Sequence, residues 1–152
     1  MDDLVRYLID NDLTICTCES LTAGLFASYI ADIPGSSKVL KGGLITYQTN
    51  IKETLLKISS KLIRKYGVVS KEMANEMAIK SQIILDSNIA ISFTGNAGPT
   101  CMEGKEAGLV YISVKYNDEL YSYDFNMNGN RQQVRMRCVE EGVNVLKKIL
   151  GI

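Results

Sequence analysis

Between Leu13 and Tyr29 (LTICTCESLTAGLFASY) the hydrophobic pattern changes period once, from a short apolar run to a helical repeat. That switch restricts the chain to folds in which a buried strand feeds a helix directly. Leu13, Ile15, Cys16 and Cys18 read as the strand. After Glu19-Ser20-Leu21-Thr22-Ala23-Gly24, the apolar positions Leu25, Phe26, Tyr29 and Ile30 follow a helix face. Ser20 opens that helix in this reading, where unpaired helix N–H groups converge. Two roles suit a serine there: a helix cap, or a nucleophile with an oxyanion site beside it.

The rest of the chain repeats the alternation. A helix is expected over 2–11, a strand over 13–19, a helix over 21–32 and a turn at Pro34-Gly35-Ser36-Ser37. A strand over 42–48 and a short helix over 50–56 follow. Ser70 is a suitable N-cap for a helix with Met73, Met77, Ile84 and Leu85 near one face. An apolar strand at 89–93 runs into Thr94-Gly95-Asn96-Ala97-Gly98-Pro99. Segments 108–116 and 119–127 form an antiparallel hairpin across Asn117-Asp118, with Val110, Ile112 and Val114 on one face and Tyr121, Tyr123 and Phe125 on another. The last helix spans 131–150. No repeat or low-complexity segment interrupts the pattern. It predicts one α/β domain over 1–152, with helices on both faces of a mixed, mostly parallel sheet that includes one antiparallel hairpin.

Composition removes several classes of function. The 152 residues carry 17 basic and 17 acidic side chains, so bulk electrostatics offer nothing to a nucleic acid. The start, MDDLVRYL, lacks the features of a signal peptide, and no apolar run reaches the ~20 residues of a membrane span. A cytoplasmic location is expected. The four cysteines, Cys16, Cys18, Cys101 and Cys138, form no CxxC pair; they read as free thiols, with Cys16 and Cys18 on one face of their strand. Histidine is absent. Acid–base chemistry must therefore use Lys, Tyr, Asp, Glu or Cys, and no metal or cofactor is expected.

In sheets of this kind ligands bind beyond the carboxyl ends of the strands. Ser20, Tyr47 and Thr94 each fall at or just past such an end. Tyr47 and Lys52 stand in ITYQTNIKETLL, and a serine without histidine can be activated by lysine or by a lysine–tyrosine pair. An ordinary lysine is neutral to under ~0.1% at pH 7, so Lys52 must be desolvated or placed near another cation to serve. The competing reading is a surface lysine beside Glu53 and a packed tyrosine. The glycines of TGNAGP permit close approach to a ligand, although the same residues would also make a plain turn. Arg131 and Arg135 lie one turn apart at the start of the last helix, where cations oppose the helix dipole. A phosphate held by both arginines and the helix N–H groups would resolve that conflict, and a solvated basic face is the alternative.

These segments together resemble the CinA family at its C-terminal domain, the nicotinamide-nucleotide amidase module. The likeness runs through TCESLTAG (17–24), DIPGSS (32–37), GGLITYQTNIK (42–52), GVVS (67–70), FTGNAGP (93–99), GLVYI (108–112) and GNRQQVR (129–135). The resemblance implies a three-layer α/β/α fold and metal-free hydrolysis of the carboxamide of nicotinamide mononucleotide to nicotinate mononucleotide and ammonia. It places the family's nucleophile on Ser20, its tyrosine on Tyr47 and its lysine on Lys52. It places substrate contacts on Thr94, Gly95, Asn96, Ala97 and Gly98, and phosphate contacts on Arg131 and Arg135. The chain looks like the stand-alone form of the module, and family habit adds a homodimer. The implied mechanism is an acyl-enzyme route with backbone N–H groups near Ser20, and Gly95 as a further candidate, holding the oxyanion. The chain departs from the family's usual pattern at Leu21-Thr22-Ala23-Gly24, where a more glycine-rich run is common, and in the 100–107 loop. Two other readings remain: a non-catalytic nucleotide-binding module that acts through a partner, and a serine amidase for another small amide.

Overall fold

The computed structural model describes residues Met1–Ile152. Its strands are β1 (Ile15–Glu19), β2 (Leu40–Ile45), β3 (Ile89–Gly95), β4 (Leu109–Tyr116) and β5 (Glu119–Asn126). Its helices are α1 (Asp2–Asp10), α2 (Leu25–Ala31), α3 (Thr49–Thr54), α4 (Ser60–Tyr66), α5 (Lys71–Leu85) and α6 (Arg131–Leu150), with a single 3-10 turn at Ser36–Lys38. The sheet order is β2-β1-β3-β4-β5. β1 pairs parallel with both β2 and β3, whereas β3–β4 and β4–β5 are antiparallel. Four of the five strands thus point the same way, and the expected three-layer α/β/α architecture is present.

Pleating divides β1 between two cores. Ile15 joins the larger one, where Leu4, Val5 and Leu8 of α1, Phe26 and Ile30 of α2 and Val134, Cys138, Val139, Val145 and Leu146 of α6 cover one face of the sheet. Cys18 points the other way and meets Met73 and Met77 of α5 with Leu56, Ile58, Val68 and Val69. Burying a residue of this size on each side contributes roughly 1.5–3 kcal/mol per side chain, which holds both helical layers to one sheet. Cys16, Cys18 and Cys138 are buried free thiols, and Cys101 is an exposed one. No helix is long and apolar enough to cross a membrane.

Four local expectations need correction. Helix α2 begins at Leu25 with Gly24 as its N-cap, because Ala23 and Gly24 both take left-handed backbone angles (φ 52° and 91°) that end any earlier helical turn. Helix α4 was not foreseen; Ser59 caps it by accepting the Leu62 N–H at 3.2 Å, and Gly67 closes it. Tyr121, Tyr123 and Phe125 share a face with Val110, Ile112 and Val114, since the two-residue turn sets a register in which Val110 opposes Phe125 and Val114 opposes Tyr121. Directly opposed residues of an antiparallel pair lie on the same side. Of the apolar set assigned to α5, Met73 and Met77 are buried while Ile84 is exposed.

Chain reversal at β1 is what positions a site. The chain leaves β1 to form β2 on one side and later returns to form β3 on the other, so loops diverge from the carboxyl ends of β1 and β3. Such a switch point opens a crevice.

Candidate active site

Ser20 follows β1 directly, and its N–H still extends the ladder by donating to the Phe93 carbonyl at 3.0 Å. The side chain therefore inherits the strand's alternation and points to the face that carries Cys18. Lys52 reaches it from α3. Its Nζ lies 3.1 Å from Ser20 Oγ and 2.5 Å from the Thr46 carbonyl oxygen. Lys52 is 1% exposed, which rules out the surface-lysine reading. Burial, acting against the weaker opposing influence of Cys18 and Glu103, pushes its ammonium down to about 8. About 10% of such a lysine is neutral at pH 7. A neutral amine has two N–H donors and one lone pair, so it can donate to Thr46 and accept the proton of Ser20.

Ser20 does not cap α2. That task belongs to Glu19, fully buried on the opposite face of the strand, whose carboxylate accepts from the N–H groups of Gly24 at 2.9 Å, Phe26 at 3.2 Å and Ala27 at 2.9 Å. A negative charge at this end also complements the helix dipole. Glu19 went unassigned in the sequence, although an acid at the end of an otherwise apolar strand and just before a helix is a readable sign of such a cap. Because Glu19 takes the helix N–H groups, they are not free to hold an oxyanion.

A cleft opens over this pair, lined by Ser20, Leu21, Tyr47, Gly95, Asn96, Ala97, Thr100, Met102 and Arg131. Tyr47 is half-exposed, and its hydroxyl accepts from Arg131 Nη2 at 2.5 Å; it makes no hydrogen bond to Ser20 or Lys52. Arg131 Nη1 also donates to the Gly98 carbonyl at 3.0 Å. The arginine and tyrosine are thus hydrogen-bonded to each other within the cleft lining.

Other residues expected in the site stand behind it. Thr94 is buried, donates to the Val68 carbonyl at 2.6 Å and does not line the cleft. Asn96 lines it, but its amide is spent on the 100–107 loop, donating to the carbonyls of Met102 and Lys105 and accepting from the Met102 N–H. Glu103 fastens that loop to residues 68–69 by accepting the N–H groups of Val68 (2.6 Å) and Val69 (3.1 Å). Arg135 faces away from the cleft and donates to the carbonyls of Leu21 (Nε, 3.0 Å) and Thr22 (Nη2, 2.8 Å). The N-terminus of α6 is occupied as well: Asn130 and Gln133 form a capping box, with bonds of 3.0 and 2.9 Å. The pairing of both arginines with helix N–H groups around a phosphate is therefore not the arrangement found. Ala23 is exposed and outside the cleft, so its methyl leaves the lining unchanged.

Fold and site together define a three-layer α/β domain with a buried serine–lysine pair at a sheet switch point. The CinA C-terminal domain family matches residues 1–150, and the chain belongs to that family. A Listeria monocytogenes protein that carries the name competence-damage inducible protein is 40% identical over 144 residues, which are 94% of this chain and 35% of that protein. A namesake from Oceanobacillus iheyensis is 39% identical over 150 residues, 98% of this chain and 36% of its own length. The chain thus spans about a third of the length of these relatives. Among solved structures, a competence-damaged protein (CinA) superfamily protein from Escherichia coli superposes with a TM-score of 0.92 at 27% identity, covering 98% of this chain and 86% of that one. A competence/damage inducible protein from Agrobacterium tumefaciens gives 0.88 at 27% identity, covering 99% and 93%.

Proposed function

We propose that this domain is an amidohydrolase that converts nicotinamide mononucleotide to nicotinate mononucleotide and ammonia, with Ser20 as nucleophile and Lys52 as its base. The observation that carries the reading is a desolvated lysine amine 3.1 Å from a serine hydroxyl at the floor of a cleft. Nothing in a structural role requires a buried ammonium, which costs several kcal/mol unless it is paired.

In the proposed reaction neutral Lys52 takes the Ser20 proton as Oγ attacks the amide carbon. The developing oxyanion is held by the N–H groups of Leu21 and Ala97, two residues of the cleft lining whose N–H groups donate to no protein acceptor. As the C–N bond breaks, the Lys52 ammonium returns the proton to the departing nitrogen, and ammonia leaves. Water, deprotonated by Lys52, then attacks the Ser20 ester. The Lys52 ammonium returns that proton to Ser20 Oγ as the C–O bond breaks, and the acid product leaves as its carboxylate with loss of a proton to solvent. The pyridinium charge of the substrate further disfavours protonated Lys52. Arg131, with Tyr47 hydrogen-bonded to it, anchors the phosphate. Tyr47 in this arrangement belongs to substrate binding rather than to a proton relay between Ser20 and Lys52.

An ammonia-release assay on nicotinamide mononucleotide tests the proposal. Turnover by the wild type and its loss in Ser20→Ala are expected; equal turnover by the two proteins would sink the assignment. Nicotinamide riboside, which lacks the phosphate, should be turned over far less efficiently if Arg131 holds that group.

A further inference from the structure

We infer that Arg135 is a positioning residue that polarises the oxyanion donor at Leu21 through two linked peptide groups, and is not a ligand for the substrate phosphate. The inference rests on the serine-amidase reading of Ser20 and concerns how its transition state is stabilised.

The connection is a continuous chain of hydrogen bonds. Arg135 Nη2 donates to the Thr22 carbonyl at 2.8 Å. The N–H at the other end of that peptide unit is Ala23's, and it donates to the Ser20 carbonyl at 3.1 Å. The N–H at the far end of the Ser20–Leu21 peptide is Leu21's, which has no acceptor in the protein and belongs to a residue lining the cleft. A cation on the first carbonyl withdraws electron density from its own N–H, and each peptide passes part of that polarisation to the next. The last N–H in the series becomes the stronger donor. Its position is the one that a serine nucleophile uses, since the N–H of the following residue lies beside the carbonyl under attack.

Geometry supports this division of labour between the arginines. Arg135 Nε also grips the Leu21 carbonyl at 3.0 Å, so two donors of one rigid fork hold consecutive carbonyls of the turn. The turn needs such a hold, because Ala23 occupies a left-handed conformation that disfavours it without external contacts. Arg131, four residues earlier and one helical turn away, lines the cleft, whereas Arg135 does not. The Leu21 N–H has no acceptor in the protein, whereas most backbone N–H groups of a folded chain are paired, as expected of a donor kept free for a ligand.

The experiment compares Arg135→Gln, Arg135→Lys and Arg131→Gln with the wild type in kcat and KM on nicotinamide mononucleotide and nicotinamide riboside. A parallel measurement follows the rate at which a fluorophosphonate labels Ser20, read by intact mass. Arg135→Gln is expected to lower kcat about 10- to 100-fold, part of the loss seen when an oxyanion donor is removed outright. KM and the preference for the phosphorylated substrate should stay within about threefold, and labelling should slow in parallel. Arg135→Lys, which keeps the charge and loses the fork, should fall between. Arg131→Gln should instead erase the preference for the phosphorylated substrate. The inference is overturned if Arg135→Gln raises KM and erases that preference with kcat kept, if neither kcat nor labelling changes, or if wild-type Ser20 is not labelled. If the wild type releases no ammonia but labels at Ser20, and labelling slows in Arg135→Gln, the substrate assignment fails while the role of Arg135 stands.

Discussion

Glu19 and Ser20 are consecutive residues that serve opposite faces of the sheet. The Glu19 carboxylate closes the N-terminus of α2 with three N–H bonds, while Ser20 Oγ meets Lys52 Nζ at 3.1 Å on the other side. The nucleophile is thereby anchored by its neighbour. Strand alternation forbids both side chains from sharing a face, so the acid that fixes the turn does not neutralise the lysine that needs to lose its charge.

Activity should rise with pH. Only the neutral amine of Lys52 accepts the Ser20 proton, so kcat/KM is expected to increase through an inflection near 8 and then level, because kcat/KM reports the free enzyme. In kcat the inflection should lie lower, since the bound pyridinium adds a second cation beside the ammonium. Initial rates of ammonia release across pH 6 to about 10 check both; a profile flat over that range would remove Lys52 from the role of base.

Lys52→Met should abolish turnover and stabilise the fold. At pH 7 both folded and unfolded chains hold the lysine proton, and a value of about 8 against the ordinary 10.5 corresponds to about 3 kcal/mol of destabilisation. Loss of the bond to the Thr46 carbonyl returns about 1–2 kcal/mol of that. Net stabilisation of about 1–2 kcal/mol is expected in urea unfolding at pH 7. Between pH 8 and 10.5 the unfolded chain holds a proton that the folded chain has released, so wild-type stability rises with pH and the advantage of the variant shrinks.

Glu19→Ala should destabilise the protein by about 2–4 kcal/mol, because three N–H groups lose their acceptor in a buried place. Denaturant midpoints measure it. Partial retention of Ser20 reactivity with a midpoint unchanged from the wild type would show that water replaces the carboxylate.

Ala23→Gly should stabilise the fold by about 0.5–1 kcal/mol. Alanine at φ 52° bears a Cβ clash of about 1–2 kcal/mol, of which glycine gives back part through its greater freedom in the unfolded chain. The residue is exposed and outside the cleft, so kinetic constants on nicotinamide mononucleotide should not change. Differential scanning calorimetry and the ammonia assay together decide it.

Much of the framework is local, and so was legible. Helix α6 was expected over 131–150 and is found there, since Asn130 and Gln133 mark its start and Gly151 its end. Strand β3 and the hairpin follow from short apolar runs and a two-residue turn. What local pattern did not reveal depends on contacts distant in sequence. Helix α4 is seven residues long with no buried side chain, so it carries little periodic signal. The start of α2 is delayed by two left-handed residues whose conformation no apolar pattern encodes. The hairpin strands alternate correctly, yet which faces coincide was decided by register.

The site divides along the same line. The absence of histidine was plain in the sequence, the pattern placed Ser20, Tyr47 and Thr94 at or just past strand ends, and residue chemistry made a desolvated Lys52 the condition for catalysis. Only the tertiary structure could meet or refuse that condition, because desolvation comes from packing: Lys52 of α3 is closed over to 1% exposure, Tyr47 stays half-exposed beside Arg131 in the cleft lining, and Arg135 of α6 is turned onto the carbonyls of Leu21 and Thr22. Spacing along a chain specifies which groups are near an edge. Which of them lose their water depends on the layers that close over them.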